Sequence, residues 1–296
     1  MKKWGFLILL LVCLCFVFIN NGSFFKTKVD IPNVEVRGYD QQEKDKVEEL
    51  DNIQTITITE EQIYQGNLLL VNSEYPVRQE GIKSDVVNLS THNELVKGYG
   101  VLYNDTYLSE DIAHEFSEMI AAAEKEGVHN FWITSGYRNF DEQRELYQQM
   151  GSDAALPAGY SEHNLGLSLD VGTTQTTMAK APEGEWIEEN AWKYGFILRY
   201  PENKSDITGI QYEPWHIRYV GLPHSAIMKE KNFVLEEYLD YLKEKKKVSA
   251  KVEGKKYTIS YYPLSENMTI NIPKHQEYVI SGDNMGGVIV TVTNDK

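Results

Sequence analysis

Ser161-Glu162-His163-Asn164-Leu165-Gly166-Leu167-Ser168-Leu169-Asp170-Val171 is the stretch on which the reading of this chain turns. From Leu167 to Val171 apolar and polar residues alternate, the period of a half-buried strand. Leu167, Leu169 and Val171 face one way; Ser168 and Asp170 face the other. A carboxylate on that second face is costly unless something positive meets it. An arginine or a metal ion would serve, and Asp170 alone does not choose between them.

A second alternating stretch, Trp215 to Val220, narrows the choice. His216 and Arg218 share one face, and Trp215, Ile217 and Tyr219 share the other. Pro214 does not suit a helix interior, so this is not a helical His-Glu-x-x-His site. With His163 from the turn before the first strand, His163, Asp170 and His216 make two imidazoles and one carboxylate. That set is sufficient for one catalytic Zn2+ whose fourth position stays open to water. Glu213, taken alone, is a surface carboxylate beside a Pro-Trp pair. Beside a metal ligand it becomes the group that takes a proton from water and returns it to a departing amine.

Arg138 ends the strand-like run Phe131-Trp-Ile-Thr134 in Ser135-Gly-Tyr-Arg138. It is either an exposed loop arginine or a fixed positive fork for a developing oxyanion. Ser161 can simply cap a turn, and Gln143 can simply sit in the first turn of a helix. His92, His114, His129, His224 and His275 are read as structural. His114-Glu115 begins like a zincin helix, but position 118 is Glu rather than His.

Working outward, Ser109 to Glu126 reads as a helix capped by Ser109, with Ile112, Phe116, Met119, Ile120 and Ala123 on one face and Gly127 ending it. A short helix is expected from Asp141 to about Met150, another from Glu185 to Tyr194, and a last amphipathic one from Asn232 to Lys247. Leu68-Leu-Leu-Val71 reads as a buried strand, and Thr55 to Thr59 as a short edge strand. Residues 248–296 are strand-like, broken by Gly, Pro, Asn and Asp, and suggest a small all-β domain. The expected order is an N-terminal anchor at 1–25, a mostly polar spacer at 26–59, a main domain at 60–247 and the β domain at 248–296.

The net charge of -15 argues against a nucleic-acid partner, since phosphate binding wants a Lys/Arg surplus. Both cysteines, Cys13 and Cys15, lie in the apolar run Trp4 to Ile19, so no disulfide framework or cysteine zinc cage is available downstream. That run follows Lys2 and Lys3 and lacks the small residues of a cleavage site. It reads as an uncleaved signal anchor, with the rest of the chain outside a Gram-positive cytoplasmic membrane. Nucleophile chemistry finds little support: the only Ser-x-x-Lys, Ser23 to Lys26, is juxtamembrane, and neither Gly-x-Ser-x-Gly nor a Gly-rich phosphate loop occurs.

Ser-Gly-Tyr-Arg138, Ser161-Glu-His163 with Gly166 and Asp170, and Glu213-Pro-Trp-His216 together resemble the LAS family of zinc peptidases. Tyr194 to Pro201 and Thr208 to Gly221 look like its VanY-type D-alanyl-D-alanine carboxypeptidases. The resemblance covers about residues 60 to 247. It implies an α+β fold, an antiparallel sheet carrying the zinc site with helices packed on it, as in hedgehog signalling domains. It also implies that His163, Asp170 and His216 bind Zn2+, that Glu213 is the base, and that Arg138 polarises the scissile carbonyl. Ser161 and Gln143 would help hold the terminal residue of the substrate. Ser168 departs from the Ala of many relatives, a small change. The expected function is removal of the C-terminal D-Ala from peptidoglycan stem peptides ending in D-Ala-D-Ala, which glycopeptide antibiotics then bind poorly. The rivals are a zinc L,D-carboxypeptidase or endopeptidase of the wall, and a non-catalytic wall-binding module.

Overall fold

A computed structural model of the protein describes residues 34–38, 53–152, 155–264 and 266–294, all within one compact unit. The apolar run expected to be an anchor lies outside the described residues. Among those described, no helix is long and apolar enough to cross a membrane.

The strands are β1 (Val34–Gly38), β2 (Ile53–Ile58), β3 (Val86–Asn88), β4 (Tyr99–Val101), β5 (Tyr107–Ser109), β6 (Phe131–Ser135), β7 (Ser168–Thr173) and β8 (Phe196–Leu198). Then come β9 (His216–Tyr219), β10 (Lys247–Val252), β11 (Lys255–Pro263), β12 (Met268–Pro273), β13 (Tyr278–Gly282) and β14 (Gly287–Asn294). The helices are α1 (Glu110–Lys125), α2 (Phe140–Met150), α3 (Pro182–Asn190), α4 (Ser205–Thr208), α5 (His224–Lys231) and α6 (Leu235–Lys245).

One five-stranded sheet runs β4-β6-β7-β9-β8. Its β6–β7, β7–β9 and β8–β9 pairs are antiparallel as expected, but β4 joins β6 in parallel. The reason is topological: α1 lies between β4 and β6 in the chain, and a helical crossover returns the next strand in the same direction. The alternation read in the sequence is obeyed. Leu169, Val171 and Ile217 are fully buried in the core, together with Phe116, Met119 and Ile120 of α1. Each such side chain stabilises the fold by about 1.5–3 kcal/mol through burial. Ser109 caps α1 as expected, its hydroxyl accepting from the Ile112 amide at 3.4 Å.

A second five-stranded antiparallel sheet runs β1-β10-β11-β14-β13, and β12 pairs with β2. The 248–296 segment is thus strand-rich as read, but it does not form its sheets alone. β1 and β2, from the stretch expected to be spacer, complete them. Val34-Glu-Val-Arg-Gly carries little apolar content, so its strand rests on the backbone ladder to β10 rather than on its own burial.

Leu68 to Val71 is buried throughout, yet it is not a ladder strand. Its amides and carbonyls go to side chains and a turn carbonyl rather than into a strand ladder, as described below. The 185–194 helix is α3 followed by a tighter turn over Ala191–Tyr194 that Gly195, at φ 79°, closes.

Candidate metal centre and active site

Asp170 and His216 are direct cross-strand partners on β7 and β9, with Ser168 opposite Arg218 two residues on. Cross-strand partners share a face, so the pairing aims all four side chains away from the apolar core. Ser135 at the end of β6 pairs with Asp170 from the other side. His163 arrives from the short turn Glu162–Asn164, and Gly166 at φ 82° lets the chain reverse into β7. A side chain there would be strained.

The nitrogen and oxygen atoms of His163, Asp170 and His216 can be chosen so that all lie within 4.8 Å of one another. Which nitrogens face inward follows from the outer partners. His163 Nδ1 lies 2.6 Å from the Gly136 carbonyl, which can only accept, so Nδ1 carries the proton and Nε2 keeps its lone pair. His216 Nε2 lies 3.4 Å from Glu162 Oε2, leaving Nδ1 on the inner side, 3.0 Å from Asp170 Oδ1. Both rings are held by an acceptor on their far nitrogen, the arrangement metal-binding histidines use to fix tautomer and orientation. Gly136 is suited to its place because a Cβ there would collide with the Tyr107 carbonyl. The donor set therefore fits a tetrahedral zinc with an open position.

Glu162 is the residue the sequence reading passed over. It is fully buried, and its Oε1 accepts from Arg199 Nε at 2.8 Å and Arg218 Nη1 at 2.7 Å. Arg199 is held in turn by both oxygens of Glu236, at 2.9 and 2.7 Å. Burial would raise the Glu162 carboxyl, but the two guanidinium groups overcome this and hold it well below the usual carboxylate range. The alternation had placed Arg218 on the polar face, so its presence there was legible. Its partner was not, because Glu162 sits in a turn where no period applies.

Asp170 shows the same contest. Burial opposes its charge, and the His163 and His216 rings win, keeping it far below its ordinary value. The arginine considered as its partner is not the one that meets it; two imidazoles do. His216 is likewise opposed by burial, yet Asp170 and Glu162 lift it to about 9. His163 goes the other way: burial lowers it, against the pull of Asp170.

Glu213 Oε2 lies 4.0 Å from His216 Nδ1. Burial, foremost, pushes its carboxyl above the ordinary value, and Asp170 and Glu162 add to that against His216 and Arg138. Arg138 is partly buried rather than an exposed loop residue. Its amide donates to the His163 carbonyl at 3.1 Å and its own carbonyl accepts from Asn164 at 2.6 Å, so its backbone is tied to the ligand turn. Its guanidinium reaches Ser135 Oγ at 3.3 Å and Ser161 Oγ at 3.5 Å, and Nε has no partner. Gln143 is buried on α2; its amide nitrogen donates to the Leu156 carbonyl at 2.7 Å and its Oε1 is unpartnered. Ser161 does cap its turn, accepting from the His163 amide at 3.4 Å. A cavity of about 450 Å³ is lined by Arg138, Gln143, Ser161, His163, Asp170, Glu213 and His216, with Trp215, Ile210 and Leu156 on its walls. Every site residue singled out in the sequence therefore reaches one cleft. His92, His114, His129, His224 and His275 stay outside it.

The family model for VanY, D-alanyl-D-alanine carboxypeptidase, matches residues 105–222. The chain is 62% identical over 297 residues to a D-alanyl-D-alanine carboxypeptidase of Enterococcus faecium, covering 99% of this chain and 96% of that one. It is 37% identical over 196 residues to the bifunctional D-Ala-D-Ala dipeptidase and D-Ala-D-Ala carboxypeptidase VanXYC of Enterococcus gallinarum, covering 60% of this chain and 95% of the relative. Among solved structures, the vancomycin resistance D,D-dipeptidase VanXYg in complex with a D-Ala-D-Ala phosphinate analogue superposes with a TM-score of 0.71 at 32% identity. That match covers 82% of this chain and 99% of the other.

Proposed function

The chain belongs to the VanY family of D-alanyl-D-alanine carboxypeptidases, and from that premise we propose that it is a zinc-dependent D,D-carboxypeptidase acting on peptidoglycan precursors. It removes the C-terminal D-Ala from pentapeptide stems ending in D-Ala-D-Ala, and so contributes to glycopeptide (vancomycin) resistance. The observation that carries this reading is Glu213: a carboxylate 4.0 Å from the inner nitrogen of His216, in the same cleft as Arg138. A module that only bound wall polymer would have no use for it.

His163 Nε2, Asp170 and His216 Nδ1 would hold the zinc ion. When bound it supplies Lewis acidity, easing deprotonation of water and polarising a carbonyl. Glu213 takes the proton from the attacking water and passes it to the nitrogen of the departing D-Ala, and burial, by raising its affinity for protons, favours the second half of that transfer. Arg138 provides fixed positive charge, with Nε unused, where the scissile carbonyl oxygen turns anionic. Gln143 Oε1 and the Ser161 hydroxyl stand ready for the terminal residue of the substrate. With no activated serine in the cleft, penicillins should not acylate the enzyme. The Trp4 to Ile19 run behind Lys2 and Lys3 supports, within the same proposal, a single-pass anchor that keeps the catalytic unit on the outer face of the cell membrane.

The test is metal analysis of the protein coupled to amino-acid release from stem peptides of defined stereochemistry. One zinc per chain and chelator-sensitive release of D-Ala from the pentapeptide are expected. Release from the tetrapeptide but not the pentapeptide would replace this function with an L,D-carboxypeptidase.

A further inference from the structure

The buried ion network behind His216 does not end at Arg218. Arg218 Nη2 donates to the carbonyls of Asn67, at 3.1 Å, and Leu69, at 3.0 Å. The intervening amides point the opposite way. The Leu68 amide donates to Ser281 Oγ at 2.8 Å, and the Leu70 amide donates to the Asp283 carbonyl at 3.1 Å. An extended backbone presents successive polar groups to alternate sides. Residues 67–70 are therefore gripped between a guanidinium on one side and the β13–β14 hairpin on the other. This explains why so apolar a stretch joins no sheet.

The hairpin is built for that grip. Asn284 Nδ2 donates to the carbonyls of Leu70, at 2.9 Å, and Pro76, at 3.0 Å, and the Gly282 amide donates to the Gln65 carbonyl at 2.7 Å. Ser281, Asp283 and Asn284 are all buried, and none of them lines the cleft. Arg218 is itself fully buried, and the backbone oxygens of 67 and 69 are what its Nη2 donates to. If 67–70 shifted, the guanidinium would turn to recover acceptors. Glu162 Oε1 would move with it, and His216 Nε2 would lose the acceptor that fixes its ring.

We propose that the 281–284 hairpin, acting through residues 67–70, Arg218 and Glu162, is a positioning element of the metal centre that sets how His216 presents Nδ1. This rests on His163, Asp170 and His216 being the zinc ligands, as proposed above. It gives the C-terminal strands a part in the chemistry without any contact to substrate.

The measurements are the zinc dissociation constant by chelator competition, the absorption spectrum of the cobalt-substituted protein, and the melting temperature of the metal-free protein, all on the full chain. Arg218→Lys, which keeps a cation but cannot reach both carbonyls, should weaken zinc binding about tenfold, at the low end for outer-shell partners of metal ligands. Ser281→Ala and Asn284→Ala, two links further out, should each weaken it by roughly threefold to fivefold and shift the cobalt bands. Placed on the Arg218→Lys background, Ser281→Ala should cost no further affinity, because the path is already cut. If Arg218→Lys does not fold, Glu162→Gln serves as the background. The inference is overturned if Ser281→Ala and Asn284→Ala lower the metal-free melting temperature while leaving zinc affinity and cobalt spectrum at wild-type values. It is equally overturned if their costs add in full on the cut background. Wild-type protein that binds no zinc overturns the ligand assignment and this inference together, which separates the two failures.

Discussion

His216 and His224 stand eight residues apart and are both almost fully buried, yet they titrate in opposite directions. His216 lies between Asp170 and Glu162, which raise it to about 9 against the effect of burial. His224 sits where α5, α6 and β14 meet, with Nδ1 2.7 Å from the Tyr238 hydroxyl and Nε2 3.1 Å from Thr291 Oγ1. Among the described residues no carboxylate bears on it, and burial alone takes it down to about 3. A low-dielectric interior strips charge from an imidazole unless anions are buried with it. The carboxylates that draw a proton onto His216 would be met better by a divalent cation, which is the physical case for a metal centre in one region and plain packing in the other.

The largest effect that would sharpen this contrast concerns turnover. Glu213→Ala should lower kcat about 10³-fold, roughly 4 kcal/mol of barrier, while one zinc per chain remains bound. Wild-type turnover in that variant would remove Glu213 from the mechanism. Arg138→Ala comes next, at about 10² to 10³-fold in kcat/KM, the usual cost of losing one preorganised oxyanion contact. Because its backbone is tied directly to the ligand turn while its side chain meets that turn only through the long contact to Ser161 Oγ, at 3.5 Å, zinc affinity should change little. A variant that lost zinc along with activity would show Arg138 to be structural.

The third measurement targets the proton on His216. Its pKa in the folded, metal-free chain lies above the value of about 6.5 expected when unfolded. The stability it contributes is therefore complete below about pH 6.5 and is lost as pH rises towards 9. At about 1.4 kcal/mol per unit, that is a loss of about 3 kcal/mol across the window. Zinc-loaded protein should show no such decline, because the ring is neutral and ligated throughout. Urea midpoints of both forms between pH 6 and 9.5 would decide, and parallel curves would mean that zinc does not sit on His216.

Much of the metal face was open to reading because it lies on strands. Alternation in Leu167 to Val171 and in Trp215 to Val220 put Asp170, His216 and Arg218 on one face, and the cross-strand register keeps them there. The 3.6-residue recurrence in α1 located the core in the same way. What escaped is whatever depends on tertiary neighbours. Glu162 meets Arg199 and Arg218 across 37 and 56 residues, and no local period announces such a pair. Leu68 to Val71 has a strand's composition, but its hydrogen bonds go to a guanidinium and a hairpin. β1 is recognisable only once β10 is present to pair with it. His224 lies outside the cleft, and nothing in its neighbours along the chain names Tyr238 or Thr291 as its partners.

The smallest effect isolates that second histidine. Because the folded-state pKa of His224 is depressed, the unfolded chain binds its proton first as the solution is acidified. Its contribution to stability is present above about pH 6.5 and drains away as pH falls towards 3. Between pH 6.5 and 5 the loss should be about 2 kcal/mol. In that interval His163, whose folded-state pKa burial also lowers, contributes a slope of the same sign, so the share of His224 is the difference between the wild-type chain and a His224 variant. His224→Gln should remove that share and leave a shallower acid slope, whatever the variant's stability at pH 7, while leaving zinc stoichiometry unchanged. A variant that kept the wild-type acid slope would mean that His224 is not held neutral, and that burial without carboxylates does not separate the two regions.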